Sequence, residues 1–270
     1  NPDHQKLYKQ NRLSVVRQLK YSTQNENSLD MGIFVNGIPI ITMELKNTLT
    51  GQNHLNGEKQ YKYDRDPKEP LFHFKRCLVH FSVGNEKVSM TTKLSGSKTK
   101  FLPFNKGIEN PVNPNGHKTH YLWESILQPK NVLDLIENFV HIREEIEKEY
   151  DSKVGKVVDK KTELLIFPRF HQLKVINRLK KSVIEEGVGH NYLIQHTTGS
   201  GKTLSIGWLS HLLTSLYRTP TDTKRMFDSV IVVTDRKVID RMLQNTIKQL
   251  EQTKGVVNPV DVNSQQLKEY

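Results

Sequence analysis

The stretch LDMGIFVNGIPIITMELK, residues 29–46, decides how the first half of the chain folds. Two apolar runs, Met31 to Val35 and Ile38 to Leu45, flank Asn36-Gly37. Asn-Gly favours a tight hairpin turn, because both of its central positions need a positive φ. The stretch therefore predicts an antiparallel hairpin. Its charged residues are Asp30, Glu44 and Lys46. Glu44 and Lys46 are two apart, so they share one face of a strand. A strict two-residue turn would pair Asp30 with Met43 and put Glu44 on the wrong face. One extra residue, in a three-residue loop or a bulge, pairs Asp30 with Glu44 instead. It also brings Met31, Ile33, Val35, Ile41, Met43 and Leu45 together on the opposite face. We expect the odd-length loop.

Two carboxylates and a lysine so placed suit phosphodiester hydrolysis. The carboxylates hold Mg²⁺, which stabilises charge on the scissile phosphate and lowers the pKa of bound water. Lys46 stabilises charge or orients the nucleophile. Exposed strands also carry Glu and Lys with no such role, so the alternative is an inert scaffold. Ile40 to Met43, however, marks a largely buried strand, and charge at the end of such a strand needs a reason.

Outward from the hairpin, Arg12 to Tyr21 predicts one strand, and Leu71 to Val83 with Lys87 to Leu94 predicts an antiparallel pair around Gly84-Asn85. His73, Cys77 and His80 fall on the first of that pair, where their spacing does not converge, and we assign them to packing. Pro103 to His117 is rich in Pro, Gly and Asn and reads as a loop. Asn131 to Tyr150 predicts an amphipathic helix, with Val132, Leu135, Ile136, Phe139, Val140 and Ile146 near one face. The charged stretch Asp151 to Lys161 reads as a linker. We therefore expect a first domain over 1–150, a linker over 151–161 and a second domain over 162–270.

The second segment predicts helices over Phe170–Glu186, Thr203–Tyr217 and Arg236–Leu250, and strands over Asn191–Gln195 and Ser229–Thr234. Such alternation indicates a parallel sheet with crossover helices. Between the first strand and the second helix lies HTTGSGKT, residues 196–203. The loop Thr198, Gly199, Ser200 and Gly201 lets the backbone wrap phosphate oxygens, and the N–H groups at the helix start carry partial positive charge. Lys202 can reach the outer phosphates, and the Thr203 hydroxyl can ligate Mg²⁺. The usual pattern opens with Gly where His196 stands. Gln172, in PRFHQ before the loop, carries the donor and acceptor that match an adenine edge. Thr234 and Arg236 end the second strand, where open α/β sheets place ligands.

The chain has 270 residues and a formal charge of +11. Such a basic excess suits a polyanion, nucleic acid first. Cys77 is the one cysteine, which excludes an internal disulfide and fits a reducing cytoplasm. No apolar run approaches the length of a membrane span, and no apolar signal segment opens the chain. The absence of a starting Met reads as trimming ahead of Asn1. No acidic motif follows the strand near Ile231, so the second segment reads as part of an ATPase that does not translocate by itself.

Several of these segments resemble one family. TGSGKT is the form typical of superfamily 2 helicases. Phe34 to Pro39 with Glu44 to Asn47 is similar to the nuclease hairpin of the restriction (R) subunit of type I restriction–modification enzymes. QYKYDRD (60–66), FLPFN (101–105) and YLWE (121–124) also look like segments of that family. The resemblance implies an α/β fold: a PD-(D/E)xK-type nuclease domain, a mixed sheet flanked by helices, followed by the start of a RecA-like parallel α/β motor. It implies Asp30, Glu44 and Lys46 as catalytic residues, with Asp30, Glu44 and Thr203 on Mg²⁺. Gln60, with Tyr63 as a second candidate, supports the nuclease site. Gln172 and Thr198 to Thr203 bind ATP, and Thr234 and Arg236 touch the DNA backbone. Leu29 departs from the Pro usual before the acidic residue. The implied enzyme is an ATP-driven endonuclease that pulls double-stranded DNA past itself, with modification and specificity subunits supplying recognition. The alternatives are a helicase-like ATPase with an inert nuclease fold, and a binding fragment without chemistry.

Overall fold

A computed structural model describes residues 2–151, 155–219, 221–251 and 257–260. Contacts divide the chain into two compact units, Asn1–Ile142 with Glu163–His171, and Arg143–Thr162 with Gln172–Tyr270.

The first unit is built on a six-stranded sheet in sequence order: β1 (Leu13–Lys20), β2 (Ser28–Val35), β3 (Ile38–Leu45), β4 (Val79–Val83), β5 (Val88–Thr91) and β6 (Leu102–Pro103). The β2–β3 hairpin turns through Asn36 and Gly37, with φ of 52° and 80°, the positive values a primed turn needs. The extra residue lies in a bulge and not in the turn. Val35 pairs with Ile38 and Phe34 with Pro39, but Ile33 pairs with Ile41, which leaves Ile40 over. Pro39 has no N–H to give to a ladder, so the bulge falls beside it. The Ile40 carbonyl accepts instead from the Leu78 N–H at 2.8 Å, across to the next strand. Beyond the bulge the register runs Met31 to Met43, and one step further Asp30 stands opposite Glu44.

Strands β3 and β4 are parallel, so the chain must cross over between them. It does so through helix α2 (His54–Tyr63), the second helix, after the N-terminal α1 (Pro2–Lys9), entered by a reciprocal cap between Asn53 and Asn56. Glycine lets α2 lie close to the sheet: a Cβ at Gly57 would overlap the Ser82 hydroxyl and stand 3.2 Å from the Glu44 Cβ. Under this face Leu29, Tyr61, Phe72 and Leu94 form an apolar cluster. Leu29, where the family's Pro is missing, is thus a core side chain. On the other face Phe81, Phe104, Phe167 and Phe170 meet edge to face with Tyr121. There a turn of π-helix, Leu122–Ile126, leads into helix α3 (Pro129–Asn138).

Two expectations are corrected here. The sequence over 71–83 is strand only from Val79; Pro70–Phe72 is a 3₁₀ turn. The helix expected over 131–150 stops at Asn138, and His141–Asp151 is strand β7, paired with β8 (Lys156–Ile166). The expected linker is therefore largely strand, apart from 152–154, which lie outside the described residues. Glu and Lys favour a helix over 143–149 by intrinsic propensity, but pairing with a β-branched neighbour outweighs so small a preference.

The second unit contains most of helix α4 (Phe170–Glu186), with α5 (Lys202–Thr214) and α6 (Lys237–Gln249). Helices α5 and α6 pack on each other, with Gly207 admitting Leu250 and Thr246, and Trp208, Leu212 and Leu243 on these helices are buried. The expected strands Asn191–Gln195 and Ser229–Thr234 take no regular secondary structure and are not paired into a sheet. Leu193 is 94% exposed and Val233 85%. A parallel strand acquires its ladder and its burial from neighbours on both sides, and among the described residues neither run has them.

Candidate nuclease centre and nucleotide-binding loop

Bulge, hairpin and crossover helix bring Asp30, Glu44 and Lys46 together. Lys46 Nζ lies 3.5 Å from Asp30 Oδ2 and 3.6 Å from Glu44 Oε2. Asp30 Oδ2 also accepts from the Leu45 N–H at 2.7 Å, and its Oδ1 lies 3.5 Å from the Gln18 amide nitrogen. The Asp30 side chain is 28% exposed and Glu44 fully buried, so the centre opens to solvent on the Asp30 side.

Arg65, just past the end of α2, was not foreseen as a site residue. Its Nη2 and Nε reach Glu44 Oε1 at 2.7 and 2.9 Å, and Nη2 also donates to the Ser28 carbonyl at 3.0 Å. It ties the start of β2 to the end of β3 and uses only one carboxylate oxygen. Glu44 Oε2 is left buried with no hydrogen-bond partner, facing Lys46. Burial drives the Glu44 pKa up to about 7, against the pull of the Arg65 guanidinium. A buried carboxylate oxygen with no hydrogen-bond donor, beside a second carboxylate, fits a cation, and the Lys46 ammonium at 3.6 Å is the charge that faces it here. Among the described residues no third His, Cys, Asp or Glu joins the pair.

Gln60 lies on α2 three residues after Gly57, hence on the same helix face; its Oε1 is buried without a hydrogen-bond partner. Tyr63 is 65% exposed. Tyr61, by contrast, is fully buried beneath β3. Its hydroxyl meets Thr42 Oγ1 at 2.8 Å, and Thr42 Oγ1 meets His80 Nδ1 at 2.7 Å. Burial lowers the His80 pKa to about 4 and raises that of Cys77 to about 12, so both are neutral core groups.

In the second unit, the TGSGKT loop stands at the head of α5. Gly199 and Gly201 have φ of 76° and 83°, and Gly201 is the cap residue before Lys202. Thr198 and Gly199 are exposed and Ser200 and Thr203 half-buried. Lys202 Nζ donates to the His196 and Thr197 carbonyls, each at 3.0 Å, and so closes the loop on itself. Gln172 is buried on α4 and donates to the Gly201 carbonyl at 3.0 Å. Its observed contact is thus with the loop backbone. Thr234 and Arg236 stand at the start of α6, with Arg236 exposed and its guanidinium beside Asp235 at 3.9 Å.

Among the described residues no helix is long and apolar enough to cross a membrane. Residues 3–99 match the family described as type I restriction enzyme R protein N terminus, and residues 171–269 match the SWI2/SNF2 ATPase family. The type I restriction enzyme HindI endonuclease subunit of Haemophilus influenzae is 27% identical over 87% of this chain and 21% of the relative. The type I restriction enzyme MjaVIIIP endonuclease subunit of Methanocaldococcus jannaschii is 23% identical over 91% of this chain and 22% of the relative. The chain thus spans about a fifth of the length of the curated relatives it matches. Its first part thus matches the type I restriction enzyme R-protein N-terminal family, its last part matches the SWI2/SNF2 ATPase family, and over most of its length the chain is similar to type I restriction enzyme endonuclease subunits.

Proposed function

We propose that this chain belongs to the motor and nuclease subunit of a type I restriction enzyme, with a PD-(D/E)xK-type centre over 1–150 and a RecA-like ATPase beginning at 162. The observation that carries the reading is the buried Glu44 Oε2, which lacks a hydrogen-bond partner, gathered with Asp30 around Lys46. Asp30 and Glu44 would hold a divalent cation, with Mg²⁺ the expected ion, which when bound would supply Lewis-acid charge at the scissile phosphate and a more acidic water. Asp30 is held ready by the Leu45 N–H, and Glu44 by Arg65. Lys46 offers a positive charge to the phosphate oxygens. Gln60 supports the centre from α2.

In the motor segment, Thr198 to Gly201 wrap the ATP phosphates. Lys202 exchanges its two loop carbonyls for phosphate oxygens, and Thr203 holds the accompanying Mg²⁺. Gln172 shapes the loop and meets the adenine edge, and Thr234 and Arg236 track the DNA backbone. The whole subunit translocates duplex DNA in the cytoplasm together with modification and specificity subunits.

A competing reading treats the four charges as an inert network, since Asp30 and Glu44 are balanced by Lys46 and Arg65. The test is cleavage of unmethylated circular DNA by the full-length subunit with its modification and specificity partners, Mg²⁺ and ATP. Glu44→Gln is isosteric and keeps the Arg65 contact; it should abolish cutting and Mg²⁺ binding together. If Glu44→Gln cuts like wild type, the inert network is the correct reading.

A further inference from the structure

One residue of β1 carries strain where the strand faces the proposed nuclease centre. Gln18 has φ of 48° inside a strand, a left-handed conformation that side chains other than Gly avoid. The β1–β2 ladder pairs Arg17 with Met31 and Leu19 with Leu29, and is interrupted at the step between them, where Gln18 faces Asp30. Both ends of the Gln18 amide are engaged across this gap. Its nitrogen lies 3.5 Å from Asp30 Oδ1, and its oxygen accepts from the Ser28 hydroxyl at 3.2 Å. Strained backbone that persists beside reacting groups is held there by function more often than by stability.

We infer that Gln18 is a positioning residue for Asp30, with the strain in β1 aiming its amide at the carboxylate oxygen that the Leu45 N–H leaves unheld. This inference rests on the nuclease reading of Asp30 and Glu44. The chemistry is that of a hydrogen bond to a cation-binding carboxylate. Leu45 and Lys46 hold Oδ2, and the Gln18 amide fixes the rotation of the carboxyl group about its own axis. Ser28 in turn holds the amide with its nitrogen toward Asp30. The carboxylate side chain is 28% exposed, so burial alone does not hold it. Gln18 itself is exposed and is not a member of the apolar cluster under the sheet, so its replacement removes no core side chain.

Two consequences run in opposite directions, and a purely structural role would not separate them. Gln18→Gly adopts the positive φ without strain, so the metal-free protein should melt at or above the wild-type temperature. The same change frees Asp30, and loss of a group that orients a metal-binding carboxylate costs about 10–100-fold in metal affinity or activity.

The experiment compares full-length wild type, Gln18→Gly and Asp30→Ala. Thermal melting in EDTA and Mn²⁺ affinity by titration calorimetry are measured on the protein, and DNA cleavage on the reconstituted complex. The expected result is an unchanged or raised melting temperature for Gln18→Gly, with Mn²⁺ affinity and cleavage each lowered about tenfold or more. Gln18→Gly that binds Mn²⁺ and cuts like wild type, while Asp30→Ala does neither, overturns the role of Gln18 alone. Gln18→Gly that melts below wild type overturns the strain argument. Asp30→Ala that cuts like wild type overturns the nuclease reading on which the inference stands.

Discussion

Replacing Arg65 by Met tests how the centre tolerates a buried carboxylate. Glu44 is fully buried, and its pKa stands at about 7 even with the guanidinium on Oε1, against 4.5 when unperturbed. Because the folded value is the higher one, metal-free wild type is favoured at acid pH. The contribution is fully present below pH 4.5 and lost as pH rises to about 7. At about 1.4 kcal/mol per pH unit, that loss is about 3 kcal/mol. Above pH 7 Glu44 is ionised in wild type and the loss ends.

Without Arg65 the main opposition to desolvation is gone and only the weaker pull of Lys46 remains, so Glu44 should stay protonated in the folded state above pH 7 and the loss should continue. The destabilisation by Arg65→Met should therefore be modest at pH 7. There it reflects mainly the lost bond to the Ser28 carbonyl, about 1–3 kcal/mol. It should then grow by about 1.4 kcal/mol per pH unit, reaching about 3 kcal/mol more at pH 9. For a domain of this size that is a further fall of roughly 6–12 °C in melting temperature. The assay is thermal and denaturant unfolding in EDTA from pH 5 to 9, repeated in the Glu44→Gln background, where the pH dependence should vanish. A destabilisation by Arg65→Met that does not change between pH 7 and 9 would refute the reasoning.

Other expectations follow from the same contacts. Gly57→Ala drives a methyl into the Ser82 hydroxyl and the Glu44 Cβ; it should cost about 1–3 kcal/mol in urea unfolding and lower cleavage as α2 moves off the sheet. Thr42→Val leaves the Tyr61 hydroxyl and His80 Nδ1 buried without their shared partner, for a loss of about 2–3 kcal/mol by the same measurement. Lys202→Ala removes two carbonyl contacts and the charge meant for phosphate; titration with a fluorescent ATP analogue should show affinity lowered at least about 100-fold, with circular dichroism unchanged.

The core of the β2–β3 hairpin is readable because its signals are local. Asn36-Gly37 specifies the turn, and the alternation of Met31, Ile33, Ile41 and Met43 requires one residue too many, which the structure supplies as a bulge at Ile40 beside Pro39. Arg65 was not readable, since its partner Glu44 lies 21 residues away and the crossover helix that joins them leaves no periodic trace. Gln18 was hidden for another reason: a positive φ at a glutamine contradicts the propensity that a sequence reading relies on. The helix assigned to 131–150 failed at Phe139, where the 3.6-residue period of Val132, Leu135 and Phe139 ends without a Gly or Pro to mark it. The two apolar runs of the second unit show the limit of local signals most clearly. Their composition is that of buried strands, yet burial is a property of the neighbours they pack against.

The most direct test of the central claim measures ATP hydrolysis and cleavage of unmethylated circular DNA on the same reconstituted preparations of wild type, Asp30→Ala and Lys202→Ala. A motor feeding a separate nuclease predicts that Asp30→Ala hydrolyses ATP at the wild-type rate and does not cut, while Lys202→Ala does neither. Cutting by Asp30→Ala at the wild-type rate would contradict the account and reduce the carboxylate–lysine cluster to scaffold.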